Sequence, residues 1–147
     1  MNAGGGPTVL LGAEGDDKLV GFSGRNILIG GLGADRLVGG WNDDLLIAGR
    51  TAFDIDDEAL EDGFDEVLES ILAEWNSTRD YATRVANLRD GSGSTDRLNG
   101  EFFLKKGETV FDDDEVDVLT GAAGLDWFFF DPDLDELTDG QPNEEEN

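Results

Sequence analysis

Between residues 12 and 47 the apolar and polar positions recur every nine residues. Leu19, Leu28, Leu37 and Leu46 stand eighth in units opened by Gly12, Gly21, Gly30 and Gly39, and a carboxylate or amide stands sixth, as Asp17, Asn26, Asp35 and Asp44. The last three residues of each unit have the length of a very short strand with one side chain directed inward. Glycines at the first, second and fourth places permit the positive-φ turns that a residue with a Cβ resists. Stacked units would align the leucines into a thin core and turn their carbonyl oxygens inward, an arrangement suited to a hard cation.

The same register continues on both sides of this stretch with weaker signals. Residues 3–11 place Thr8 sixth and Leu10 eighth, a degraded copy. Terminal units of stacked folds normally carry a cap, so a chain opening on an uncapped copy is expected to be the C-terminal part of a longer protein. After Ile47 the register predicts a further turn at Ala48. From Asp56 the period changes: Leu60, Phe64, Val67, Leu68, Ile71, Leu72 and Trp75 recur at three- and four-residue spacing and predict an amphipathic helix whose other face is acidic. Asn76-Ser-Thr breaks it, and Tyr81, Val85 and Leu88 predict a shorter second helix ending at Asp90-Gly91. The helices should pack on the side or end of the stack. Phe102–Leu104 and Thr109–Phe111 read as short strands. The nonapeptide returns at Asp112, with Asp117 and Leu119 in place, and again at Gly121, with Asp126 and Phe128.

Composition narrows the chemistry. The 147 residues carry 35 acids, 10 bases, no His and no Cys, for a formal charge of −25. That balance argues against nucleic acid and anionic membrane partners. Disulfides, thiol chemistry and the ligands preferred by zinc or copper are excluded, which leaves oxygen-loving metals. No apolar run is long enough to span a membrane, and residues 1–7 show no signal peptide. Residues 112–147 hold 14 acids and no base, and from Gly140 the tail is expected to be disordered.

The pattern G-G-x-G-x-D-x-U-x over residues 12–47 resembles the RTX family of haemolysin-type calcium-binding repeats. The resemblance implies a mainly β chain: a right-handed parallel β-roll with a two-helix insertion and an acidic tail. The expected divisions are 1–55 and 92–139 for the two parts of the roll, 56–91 for the helical insertion and 140–147 for the tail. In the family alternate units stack and calcium lies between them. The resemblance therefore pairs Asp17 with Asp35 and Asn26 with Asp44, and gives ligand roles to those residues, to Asp117 and Asp126, and to the turns of Gly12, Gly15, Gly30 and Gly33. If the helices are an excursion, the unit at Asp112 is expected on that at Gly39, pairing Asp44 with Asp117 and Asp35 with Asp126.

The implied cofactor and partner is Ca²⁺, bound with coupled folding in a protein exported to the extracellular space or cell surface. Two other roles remain open: an adhesion or protein-interaction module with the roll as spacer, its contact made by the acidic helix face or Trp41, and an accessory domain of a larger secreted enzyme. Catalysis within these residues is not expected, because the usual acyl-transfer triads need His or Cys and carboxylate pairs of the glycosidase kind are better explained as ion ligands. Asp131-Pro-Asp-Leu-Asp opens like an EF-hand, but Glu136 and Pro142 stand where Gly and Glu are required. Asn76-Ser-Thr78 fits a glycosylation sequon to which no role is given.

Overall fold

A computed structural model describes residues 1–54 and 66–147, and Leu60, Phe64 and the expected start of the first helix lie outside the described residues. Strands alternate between two parallel sheets. The first sheet runs β1 (Val9–Glu14), β3 (Ile27–Leu32), β5 (Leu45–Ile47), β9 (Trp127–Phe129), β11 (Glu145–Glu146). The second runs β2 (Lys18–Phe22), β4 (Arg36–Gly40), β8 (Val118–Ala122) and β10 (Glu136–Leu137). Each strand pairs with the one two units away, so Leu28 lies beside Leu10 and Leu46, and Leu37 beside Leu19 and Leu119.

The eighth residues fill the space between the sheets. Leu10, Leu19, Leu28, Leu37, Leu46, Leu119 and Phe128 form one buried cluster. The flanking seventh and ninth positions separate the two sheets chemically. In the second sheet the seventh residues are Lys18, Arg36, Val118 and Glu136; in the first they are Val9, Ile27, Leu45, Trp127 and Glu145. The apolar outer face of the first sheet cannot be left in water, and the inserted segment covers it.

That segment supplies β6 (Arg50–Thr51), α1 (Glu66–Trp75), α2 (Tyr81–Arg89) and β7 (Val110–Phe111). Leu68, Ile71, Trp75, Val85, Leu88, Leu104 and Val110 pack with Val9, Ile27, Ile29, Leu45, Ile47, Trp127 and Phe129 in a second core. The helices thus lie against a face of the stack. Helix α2 starts on Asp80, whose side chain accepts the Thr83 amide at 2.9 Å.

Three expectations need correction. Strand β6 pairs antiparallel with β7, so the insertion leaves and returns through a two-strand stem and uses up no turn. The unit at Asp112 therefore stacks on that at Gly30, not on that at Gly39, and the unit at Gly121 stacks on that at Gly39. Second, residues 92–109 pack with the helices instead of resuming the stack, and Phe102–Leu104 is not a strand: the Leu98 amide donates to Glu74 at 2.8 Å and the Leu104 amide to the Leu88 carbonyl at 2.7 Å. Third, the tail from Gly140 continues the register in place of the expected disorder. Units at Phe130 and Asp139 put Asp135 and Glu144 sixth, and β11 pairs with β9.

Candidate metal centre

Alternation of the strands sends the turns to two edges. The turns at 12, 30, 112 and 130 lead from the first sheet to the second; those at 3, 21, 39, 121 and 139 lead back. A sixth residue sits at the end of each turn, where its backbone amide faces the next turn of the same edge.

On the first edge the Asp17 amide donates to Asp35 Oδ1 at 2.7 Å, the Asp35 amide to Asp117 Oδ1 at 2.7 Å, and the Asp117 amide to Asp135 Oδ1 at 2.9 Å. On the second edge the Asn26 amide donates to Asp44 Oδ1 and the Asp44 amide to Asp126 Oδ1, both at 2.7 Å, with Glu144 Oε1 3.4 Å from the Asp126 amide. The expected neighbours Asp17–Asp35 and Asn26–Asp44 are together. The expected pairs Asp44–Asp117 and Asp35–Asp126 are not: Asp117 belongs with Asp35 and Asp126 with Asp44, because the stem returns the chain to the edge it left.

Four of the ladder carboxylates use one oxygen and leave the other bare, whereas Asp135 at the end of the first ladder engages both, its Oδ2 accepting the Asp131 amide at 2.7 Å. Oδ2 of Asp35, Asp44, Asp117 and Asp126 is buried without a hydrogen-bond partner, a costly condition for a charged group. Burial accordingly pushes the Asp35 carboxyl up to about 6, and those of Asp44, Asp117 and Asp126 up to about 7. Neighbouring acids add to the shift; the amide hydrogen bonds oppose it.

The glycines make room for these oxygens. A Cβ on Gly39 would lie 2.7 Å from Asp44 Oδ2 and 2.6 Å from the Gly121 carbonyl oxygen, so carboxylate and carbonyl crowd the same spot. Gly12 and Gly30 likewise face the carbonyls of the next turn. Gly15 and Gly33 have φ of 99° and 116°, and a Cβ on Gly33 would meet the Gly15 backbone at 2.8 Å.

Asn26 differs from the acids. Its Nδ2 donates to the carbonyls of Gly21 (3.3 Å) and Gly24 (2.9 Å) and to Asp44 Oδ1 (3.1 Å), placing a neutral donor among oxygens. Among the described residues no three acidic side chains converge on a point. A cation here would draw on two carboxylates and turn carbonyls, an all-oxygen set of the kind calcium takes. The bare Oδ2 atoms fit that requirement.

Residues 2–37 and 20–51 match the family model of the RTX calcium-binding nonapeptide repeat, in four copies. Residues 2–51 carry RTX repeats. Such repeats bind Ca²⁺. The match covers the N-terminal third, and the stacking of the units at 112 and 121 on the matched ones extends the same architecture beyond it. Comparison with curated proteins and with solved structures gave no match.

Sequence reasoning missed Asp135 and Glu144, which end the two ladders, and Asp43 and Asp113, which brace neighbouring turns. Asp43 Oδ1 accepts the Leu125 amide at 2.9 Å and Asp113 Oδ2 the Gly33 amide at 2.7 Å. A signal for the first two was present: counting in nines from Gly121 places both sixth.

Proposed function

We propose that this chain is a calcium-binding module that folds or rigidifies as a right-handed parallel β-roll when calcium binds, as part of a secreted or cell-surface bacterial protein. The observation that carries the reading is the set of four buried carboxylates, each with one oxygen engaged by a backbone amide and the other bare. Without a cation these groups must take up protons or push the turns apart. Bound calcium supplies positive charge to the bare oxygens and to the carbonyls beside them. Asp17, Asp35, Asp117, Asp44 and Asp126 hold it, the glycines at the first place admit it, and the amide ladder fixes the carboxylates in advance.

At calcium one hundred times the dissociation constant, each site would add about 2.7 kcal/mol to stability. Low cytoplasmic calcium would leave the chain loose enough to export, and the external concentration would close it. The helices bury a core of their own against the first sheet, so partial order is expected without the ion. No catalytic role is proposed.

The test is a calcium titration of chelator-treated protein by calorimetry, with circular dichroism in parallel, repeated on Asp35→Ala. Heat and β-structure should develop together, and the variant should lose part of both; a spectrum in chelator identical to that in calcium defeats the folding claim. A second reading, an adhesion surface on the roll, is favoured by Trp41, 80% exposed, beside Phe22, 50% exposed. The Trp41 amide donates to the Phe22 carbonyl at 3.0 Å, so both rings sit on adjoining turns of one edge. Pull-down with Trp41→Ala separates that reading from the first.

A further inference from the structure

The two edges of the stack are not chemically equivalent. The first-edge turns, 12–17, 30–35, 112–117 and 130–135, hold 12 carboxylates and no base. The second-edge turns, 3–8, 21–26, 39–44, 121–126 and 139–144, hold 5 carboxylates and Arg25. Among the described residues, none of the ion pairs reaches a first-edge acid. Among the described residues Lys18 and Arg36, which follow first-edge turns, find no ion-pair partner, and Lys106 Nζ donates to the Phe130 carbonyl at 2.7 Å.

The second edge is furnished with donors from within the chain. Arg84, buried at 1% exposure, pairs with Asp43, and Arg25 lies 3.7 Å from the same carboxylate. Trp75 Nε1 donates to the Asp43 carbonyl at 3.0 Å, Asn76 Nδ2 to the Arg25 carbonyl at 2.9 Å, and Tyr81 Oη to the Asp126 carbonyl at 2.6 Å. Asn26 Nδ2 already bridges the turns at 21 and 39. The inserted helices therefore tie this edge together by hydrogen bonds and guanidinium charge.

On this basis, and resting on the calcium reading above, we infer that calcium loads preferentially on the first edge, between the stacked turns of Asp17, Asp35, Asp117 and Asp135, while the insertion holds the second edge in its place. Two of the three intervals on the first edge involve the turns at 112 and 130, which lie outside the stretch matching the repeat family. Asp35 and Asp117 are 2% and 0% exposed, and each carries a bare Oδ2 on the edge whose acids have no ion-pair partner among the described residues. Affinity for calcium rises with the number of charged ligands, and a surface of one sign concentrates the cation beside it. Asp44 and Asp126 also present bare oxygens, but beside Asp43, whose charge Arg84 and Arg25 offset, and they form the weaker class.

The experiment is calcium titration of the whole chain against a chromophoric chelator, comparing Asp117→Asn with Asp126→Asn. Asn keeps the side-chain oxygen that accepts the neighbouring amide, and far-ultraviolet dichroism checks that each variant folds. Asp117→Asn should weaken the tightest binding event tenfold or more, and Asp126→Asn, at the weaker class, should weaken the later events instead. Equal weakening by both variants, or the reverse order, overturns the edge assignment and leaves the calcium reading intact. No binding by the wild type overturns both.

Should a variant fail to fold, terbium decides on the wild type. The first-edge turns contain no Trp or Tyr, whereas Tyr81, Trp75, Trp127 and Trp41 stand at the second edge. The first equivalents of terbium should bind without sensitised emission, which should appear only later. Emission from the first equivalent overturns the inference.

Discussion

Asp35 and Asp117 are 82 residues apart in the chain, yet the Asp35 amide donates to Asp117 Oδ1 at 2.7 Å, the same distance as from Asp17 to Asp35 across 18 residues. The insertion is therefore invisible to the ladder. Its ends meet in the β6–β7 stem, and Asp112 resumes the count as though it followed Ile47.

One consequence concerns removal of the insertion. Joining Ile47 directly to Asp112 should preserve every nonapeptide register, but it strips the cover from Ile27, Ile29, Leu45, Ile47, Trp127 and Phe129. An exposed patch of that size favours association. The spliced chain is expected to bind a hydrophobic dye and to sediment as oligomers in calcium. A dye-silent monomer would show that the helices are dispensable to the stack.

Gly39 carries a second prediction. A side chain there would collide with the Gly121 carbonyl and Asp44 Oδ2, both under 3 Å from the new carbon, and backbone cannot retreat cheaply. Gly39→Ala should cost about 1–3 kcal/mol, the usual range for overpacking, and blunt the calcium response. Gly4→Ala, which meets nothing within 4 Å, is the comparison. Equal melting temperatures for the two would refute the crowding argument.

Much of this arrangement could be read in the residues, because the signals are local. The period of nine, the sixth-place acids and the eighth-place leucines each follow from one turn and one strand, whereas the stacking of alternate units was implied by the family resemblance. The pairing of Asp117 and Asp126 followed from neither, since it depends on whether the insertion consumes a turn, and that is settled by contacts between Arg50–Thr51 and Val110–Phe111. The tail misled through its charge. Its acids suggest a solvated segment, yet Asp135 accepts the Asp117 amide and Leu137 packs against the inner core. A signal for the covered face was present, although the expectation of helices on the side or end of the stack did not draw on it: Val9, Ile27, Leu45 and Trp127 alternate with Lys18, Arg36, Val118 and Glu136 at the seventh place. The burial of Glu74 was not legible.

Glu74 is wholly buried in the insertion. Its Oε1 accepts Asn87 Nδ2 at 2.7 Å; its Oε2 accepts the Leu98 amide at 2.8 Å and Arg79 Nη1 at 3.1 Å. Removing one partner of a buried, charged network leaves the rest unpaired and costs about 3–5 kcal/mol. Glu74→Ala should lower stability by that amount in chelator and in calcium alike, since none of its partners lies on either ladder. A loss seen only in calcium would tie this node to the metal edge, contrary to the structure.

The pH dependence separates the metal-free protein from the calcium form. Burial holds the Asp44, Asp117 and Asp126 carboxyls at about 7 and that of Asp35 at about 6, against about 3.9 in an unfolded chain. The folded, metal-free state thus binds protons that the unfolded state releases, and the linkage stabilises it fully below about pH 4 and vanishes as pH rises past 7. In chelator the melting temperature should fall between pH 5 and pH 8. Calcium must displace those protons, so its stabilising increment should be largest at pH 8 and shrink toward pH 5. Repulsion among the surplus negative charges, −25 in all, also weakens the fold as pH rises. The triple variant Asp44→Asn, Asp117→Asn, Asp126→Asn distinguishes the two causes, because it removes three of the four buried titrations while leaving most of the surface charge. With Asp35 left as the one buried carboxyl of the four still titrating, its melting temperature in chelator should vary less with pH than that of the wild type. A triple variant with the wild-type slope would mean that these buried carboxyls do not govern the transition and that general repulsion does.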